Sequence, residues 1–177
     1  MPVVIGHSLG GFVVQKYLES NDAPAGVLLA ATPPRGMFRV LLRLTRRHPW
    51  LYTKAIVTGK SLCTIGAPAL AREAFFSAEM PEERVTQYAA RLQEESRRAT
   101  YDTLFLDLPR PQHVTTPLLV LGPEHDAIFS PKEIRATARA YGTEAEIFPH
   151  MAHDMMLEAG WAAVAERIID WLGTRGV

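Results

Sequence analysis

The chain has 177 residues, 47% hydrophobic and 21% charged, with one cysteine and a formal net charge of +0. This is the make-up of a soluble globular chain with one sizeable core. Balanced charge removes any global pull toward nucleic acid or anionic lipid, the single Cys63 excludes an intrachain disulfide, and no apolar run is long enough to span a bilayer. With no secretory leader recognisable either, a cytoplasmic protein without stable membrane insertion and without a nucleic-acid partner is the default expectation.

The first stretch carries the most information. A short β-branched run, Val3 to Ile5, reaches Gly6; Ser8 follows two residues later, and Gly10 and Gly11 open a segment of helical spacing. This predicts a strand, a sharp turn and a helix. Gly6-His7-Ser8-Leu9-Gly10 fits the G-x-S-x-G nucleophile elbow, in which the serine takes a strained backbone position and small neighbours let strand and helix approach. In the helix over 9–20, Leu9, Val13 and Tyr17, with Val14 and Leu18 beside them, form the expected buried stripe, and Gln15, Lys16 and Glu19 the polar side.

Asn21 to Pro24 breaks that helix, and the continuous apolar run from Gly26 to Ala31 predicts a parallel strand covered on both faces. From about Gly36 to Leu106 no strand-like run occurs; helices are expected near 37–47, 49–58, 67–76 and 81–100, together a helical lid over 36–106. The first carries Arg39, Arg43, Arg46 and Arg47 as a solvated basic face, and Cys63 reads as a small lid hydrophobe. The α/β pattern resumes with a buried strand from Leu118 to Gly122 and a polar loop, Pro123 to Asp126. Ser130-Pro131-Lys132-Glu133 is a capping-box helix start, Gly142 its stop, and Glu144 to Phe148 a last strand. After His150-Met151-Ala152-His153, a final helix places Trp161, Val164, Ala165, Ile168, Ile169 and Leu172 on one face.

A serine hydroxyl needs a base to take its proton, and the base works best when a carboxylate fixes its tautomer. Asp126 and His153 each follow a strand on its C-terminal side, at the sheet edge where open α/β sheets bind ligands. The order Ser8, Asp126, His153 is the one expected of an elbow-containing hydrolase. Glu124 and Asp102 are rival carboxylates, and Asp154 stiffens the histidine loop. His150 and His153 form H-x-x-H and, with His125 and Asp126, are an alternative metal set.

On its elbow, on Leu121-Gly122-Pro123-Glu124-His125-Asp126 and on Ala152-His153-Asp154, the chain resembles the α/β-hydrolase family from elbow to C-terminal helix. The resemblance implies Ser8 as nucleophile, His153 as base and then acid, Asp126 as its orienter, and the Leu9 backbone N–H as an oxyanion donor. Ala152 departs from the glycine common at its position. The implied fold class is α/β, the C-terminal part of an α/β-hydrolase fold: one partial domain over 1–177, with about four parallel strands, flanking helices and the inserted lid.

Only Met1 and Pro2 precede the first strand, whereas the family's sheet has several strands before its elbow, and a loop after one of them gives the second oxyanion donor. The expectation is therefore a portion of a longer hydrolase or a late start, weakly active or inactive alone and open to self-association through its Val3 edge. The expected reaction is hydrolysis of an ester, thioester or amide of a mostly apolar small molecule, with no cofactor and no metal. Met37, Phe38, Trp50 and Phe75, with His7 beside the serine, are the expected substrate-binding residues. The alternative is a catalytically impaired remnant that serves as a binding or interaction protein.

Overall fold

A computed structural model describes all residues, 1–177. Four strands, β1 (Val4–His7), β2 (Gly26–Leu29), β3 (Leu118–Pro123) and β4 (Ala145–Phe148), form one sheet in the order β1-β2-β3-β4. All pairings are parallel, with Val4 opposite Gly26, Gly26 opposite Leu118, and Val120 opposite Ala145. Parallel pairing forces every strand to end at the same edge, so the loops after β1, β3 and β4 meet there.

β2 and β3 are buried on both faces, and alternate residues supply two cores. Leu28, Leu118 and Val120 pack on one side with Phe129, with Leu18 just past α1 (Leu9–Tyr17), with Val40 of α2 (Phe38–Arg47), and with Ile134 and Ala138 of α7 (Pro131–Ala140). On the other side Val27, Leu29, Leu119 and Leu121 pack with Met151, Met155 and Val164, the last from α8 (Trp161–Gly173). α7 starts with the expected capping box: Ser130 Oγ accepts from Glu133 N–H while Glu133 accepts from Ser130 N–H.

Between β2 and β3 the chain is helical: α2, α3 (Pro49–Thr58), α4 (Pro68–Phe75), α5 (Glu82–Ala89) and a short α6 (Arg97–Tyr101) that runs into one π-helical turn over Asp102–Leu106. α4 and α5 hold a small core of their own, built on Ala71, Phe76, Met80, Val85 and Ala89. The single helix expected over 81–100 is broken after Ala89. Glu94 accepts from Ser61 Oγ at 2.9 Å and Leu62 N–H at 3.0 Å, and Glu95 N–H donates to Ser61 Oγ at 3.1 Å, so this segment is held to a turn 32 to 34 residues earlier in place of continuing its own helix. The basic face of α2 is only partly solvated, because Arg43 forms a bidentate pair with Glu133 and Arg47 pairs with Glu73.

Two helix faces differ from their sequence reading. α1 buries Gly11, Phe12 and Gln15, with Leu18 at its C-cap, while Val13 and Tyr17 are exposed. The cause is steric: a Cβ on Gly11 would collide with the Ala31 side chain, so the glycine face is the one that reaches the sheet. Gln15 is tolerated there because its amide donates to the Gly11 and Thr32 carbonyls at 2.9 Å each and its oxygen accepts from Tyr141 Oη at 2.9 Å. On α8, Val164, Ile168 and Trp171 pack against the sheet, whereas Trp161 and Ile169 are exposed. Four strands offer apolar cover for one narrow stripe of that helix, not for a broad face.

At β1 only one edge is paired, and Ile5 is exposed. No helix is long and apolar enough to cross a membrane.

A Cβ on Gly10 meets nothing within 4 Å, in contrast to Gly11. Gly11→Ala is therefore expected to destabilise the protein by about 1–3 kcal/mol through overpacking. Gly10→Ala is expected to be neutral or to stabilise by up to ~1 kcal/mol, as at any open helical glycine. Urea unfolding of the two variants separates the cases.

Candidate active site

Ser8 stands between β1 and α1 with φ 51° and ψ −119°. A side chain holds such a conformation only under constraint, at a cost of about 1–3 kcal/mol. The constraint comes from β2, the segment after it and the first turn of α1: Ser8 N–H donates to the Leu29 carbonyl at 3.1 Å, and the Ser8 carbonyl accepts from Thr32 N–H and Gly11 N–H at 3.0 Å each. Leu9 N–H, the first of α1, has no acceptor inside its own helix and is free for a ligand. Gly6 is required by close approach, since a Cβ there would strike the Gly10 backbone.

The loop after β3 holds Asp126 by a turn of its own making. Asp126 Oδ1 accepts from Ile128 N–H at 2.8 Å and Phe129 N–H at 2.9 Å, which fixes the carboxylate plane. Its Oδ2 lies 2.9 Å from His153 Nδ1, with both side chains essentially fully buried. An ionised carboxylate only accepts, so the imidazole carries its proton on Nδ1 and a lone pair on Nε2. That Nε2 is buried and has no hydrogen-bond partner. His153 is caged by Phe129, Phe75 and His7, whose ring centroids lie 5.5, 5.9 and 4.8 Å from its own.

His7, next to Ser8, donates from Nε2 to the His153 carbonyl at 3.0 Å and lies 3.6 Å from Asp154 Oδ1. Elbow and histidine loop are thus joined directly. Burial, with the neighbouring His153 second, lowers the His7 pKa to about 4. Burial likewise raises the Asp154 carboxyl to about 6. Both groups are pushed toward their neutral forms.

The structure brings Asp126 to His153 and His7 to the same loop; it forms no hydrogen bond between Ser8 Oγ and His153 Nε2. Of the expected substrate-binding residues, Phe75 lies against His153, Met37 packs on the core beside α7, and Phe38 and Trp50 face solvent at 61% and 78% exposure. Among the rival carboxylates, Glu124 sits 3.8 Å from His125, and Asp102 pairs with Arg98 at 3.6 Å. The alternative metal set does not assemble, because His150 turns to His125 while His153 turns to Asp126. A crevice of about 40 Å³ lies between α2, α3 and α4 and the Asp126 loop, lined by Tyr52, Ala74, Ala127 and Ile128 among others. A cavity of about 300 Å³ between Pro33–Arg35 and α7 includes none of the candidate site residues.

Sequence reasoning did not single out Glu158 or Ser77. Glu158 is buried, accepting from Ser77 N–H at 2.7 Å and Ser77 Oγ at 2.8 Å, and Asp154 N–H donates to the Phe75 carbonyl at 3.0 Å. These bonds tie the end of α4 to the histidine loop and hold Phe75 over the imidazole. A glutamate inside Met155-Met156-Leu157-Glu158-Ala159 was the only sequence signal, and it names no partner.

The sequence matches the model of the alpha/beta hydrolase family over residues 2–167. The chain belongs to the alpha/beta hydrolase family. No curated protein matches it. Among solved structures, this hydrolase-family chain is similar to Rv0554 from Mycobacterium tuberculosis, with 19% identity and a TM-score of 0.69 over 97% of this chain and 65% of that one. BpoC from the same organism has 19% identity and a TM-score of 0.70, with 98% and 67% of the two chains covered. The esterase EaEST from Exiguobacterium antarcticum has 16% identity and a TM-score of 0.65, with 96% and 65% covered. Likeness at these identities shows the fold, and the chain spans about two thirds of the length of each of these structures.

Two outcomes follow for this family member's site. Glu158→Gln replaces an acceptor by a donor against Ser77, and is expected to destabilise the protein by about 1–3 kcal/mol in chemical denaturation. The pH dependence has two opposed parts. Asp154 rises from 3.8 to about 6 on folding, so the folded state holds its proton more tightly and this contribution to stability falls as pH climbs through that window. His7 falls from 6.5 to about 4, so its contribution rises with pH over nearly the same range. Asp154→Asn removes the first and leaves the second, and its Tm is expected to climb more steeply from about pH 4 to about pH 6 than that of the parent protein, as thermal melts across that range would read.

Proposed function

We propose that this alpha/beta hydrolase cleaves an ester, thioester or amide of a mostly apolar small molecule through an acyl-enzyme on Ser8. The observation that carries this reading is the buried His153 imidazole, fixed by Asp126 at Nδ1 and left with an unpartnered Nε2 beside the elbow. His153 Nε2 takes the Ser8 Oγ proton as Oγ bonds to the substrate carbonyl carbon, and the carbonyl oxygen becomes an oxyanion facing Leu9 N–H. The same imidazolium protonates the leaving alcohol, thiol or amine as the carbon–heteroatom bond breaks. It then removes a proton from water, which attacks the acyl carbon and returns Ser8 and a carboxylic acid. Asp126 keeps Nδ1 protonated and steadies the imidazolium. An oxyanion donor such as Leu9 N–H is worth about 2.7–4 kcal/mol of transition-state stabilisation.

In this reading the helices over 36–106 are a lid, and Phe75 is the lid side chain that meets the acyl group nearest His153. An apolar small-molecule acyl substrate suits that wall better than a charged one. A second reading is favoured by one observation, the missing bond between Ser8 Oγ and His153 Nε2: a folded binding protein without turnover. The unpaired edge of β1 supports self-association in either case.

A fluorophosphonate probe reads the hydroxyl directly. Labelling of the native chain, its loss in Ser8→Ala, and a fall of roughly a hundredfold or more in His153→Ala are the expected outcomes. A cooperatively folded protein that takes no label sinks the enzyme reading and leaves the binding one. Sedimentation of the same samples tests the edge, with a monomer at all concentrations counting against self-association.

A further inference from the structure

We propose that His7, His153 and Asp154 form a site for a divalent transition-metal cation of the zinc class, and that its occupancy withdraws the His153 imidazole from Ser8. A ring nitrogen of each histidine and a carboxylate oxygen of Asp154 all lie within 4.8 Å of one another. Two imidazoles and one carboxylate are a borderline-soft donor set that suits zinc and its neighbours and does not suit magnesium or calcium. Tetrahedral zinc, with bonds of about 2.0–2.1 Å, spaces its ligand atoms about 3.3 Å apart. His7 Nε2 and Asp154 Oδ1 are already 3.6 Å apart, and no spacing in the set exceeds 4.8 Å, so side-chain movements of up to about 1.5 Å bring the three atoms to tetrahedral distance.

Each ligand is prepared for this by a separate feature. His153 offers Nε2, because its Nδ1 is committed to Asp126; a carboxylate behind a histidine is the arrangement that orients a metal-binding imidazole and raises its basicity. The side chain is 1% exposed and that nitrogen is unpartnered, so a polar atom already waits in a buried place. Asp154 is anchored through its N–H to the Phe75 carbonyl, and its carboxylate lies 3.6 Å from His7 Nε2. His7 binds by moving its proton from Nε2 to Nδ1 and giving up its bond to the His153 carbonyl, one neutral hydrogen bond exchanged for coordination. The fourth position is open to water. These three ligands are not the H-x-x-H pair, since His150 lies apart beside His125.

Metal binding stands by itself, whereas the loss of activity rests on the serine-hydrolase reading, and the test keeps the two apart. Zinc chloride is titrated by calorimetry into chelator-stripped Ser8→Ala protein, which needs no turnover. One saturable site is expected, weakened about tenfold or more in His7→Ala and in Asp154→Ala, and unchanged in His150→Ala. His7→Gln and Asp154→Asn, which keep side-chain volume, serve if an alanine variant fails to melt cooperatively. Absence of saturable binding, or binding that ignores His7 and Asp154 or follows His150, overturns the site. In the native chain, zinc is expected to slow fluorophosphonate labelling and EDTA to restore it. Zinc binding without any labelling upholds the site and overturns the enzyme reading, while labelling indifferent to bound zinc overturns the withdrawal of His153.

Discussion

A helix laid against a strand with no side chain between them sets the geometry of this protein. Gly11 touches Ala31 where any Cβ would collide, and Gly6 leaves room for the Gly10 backbone. These two contacts draw α1 close to the strands and force the chain through a turn that only a constrained residue can make, at Ser8. The bonds from Ser8 to Leu29 and Thr32 then hold that strained turn against β2 and the segment after it. The same contact explains why a glutamine faces the core: once Gly11 fixes the rotation of α1, Gln15 points inward and must be satisfied there.

Parallel register does the rest of the assembly. It delivers the loops after β1, β3 and β4 to one edge, but it does not by itself orient the side chains on them. Orientation comes from local bonds. Asp126 is aimed by two N–H groups of its own loop, His153 by Asp126, and the histidine loop by His7 from the elbow and by Phe75 and Ser77 from the helical segment. A buried carboxylate at Glu158 is an expensive way to join two segments, and it is retained with both oxygens engaged. The fold therefore couples α4 to His153 through a small number of polar contacts inside an otherwise apolar cage.

Much of this was legible along the chain. Continuous apolar runs marked the strands at 26–29 and 118–123 because parallel strands buried on both faces need them. Ser130-Pro131-Lys132-Glu133 marked a helix start whose bonds form as drawn. The helix faces were read less well. Hydrophobicity favoured Val13 and Tyr17 on α1, and steric access favoured Gly11, because periodicity reports which side is oily and not which side can approach. The helix expected over 81–100 had adequate propensity, and Glu94 gave it up for Ser61 and Leu62, a partner no local window contains.

The residues alone determined the family, the strands and the strained turn, because each is written in contiguous sequence: apolar runs, fixed glycine spacing, capping side chains. They also placed Ser8, Asp126 and His153 on loops of one sheet edge. Only the tertiary structure decided which neighbours those side chains meet: that His153 lies under Phe75 and beside His7, that its Nε2 is left without a partner, and that Glu158 holds Ser77. Such contacts join residues up to 146 positions apart, and their formation depends on how whole segments pack, a quantity that no local pattern encodes.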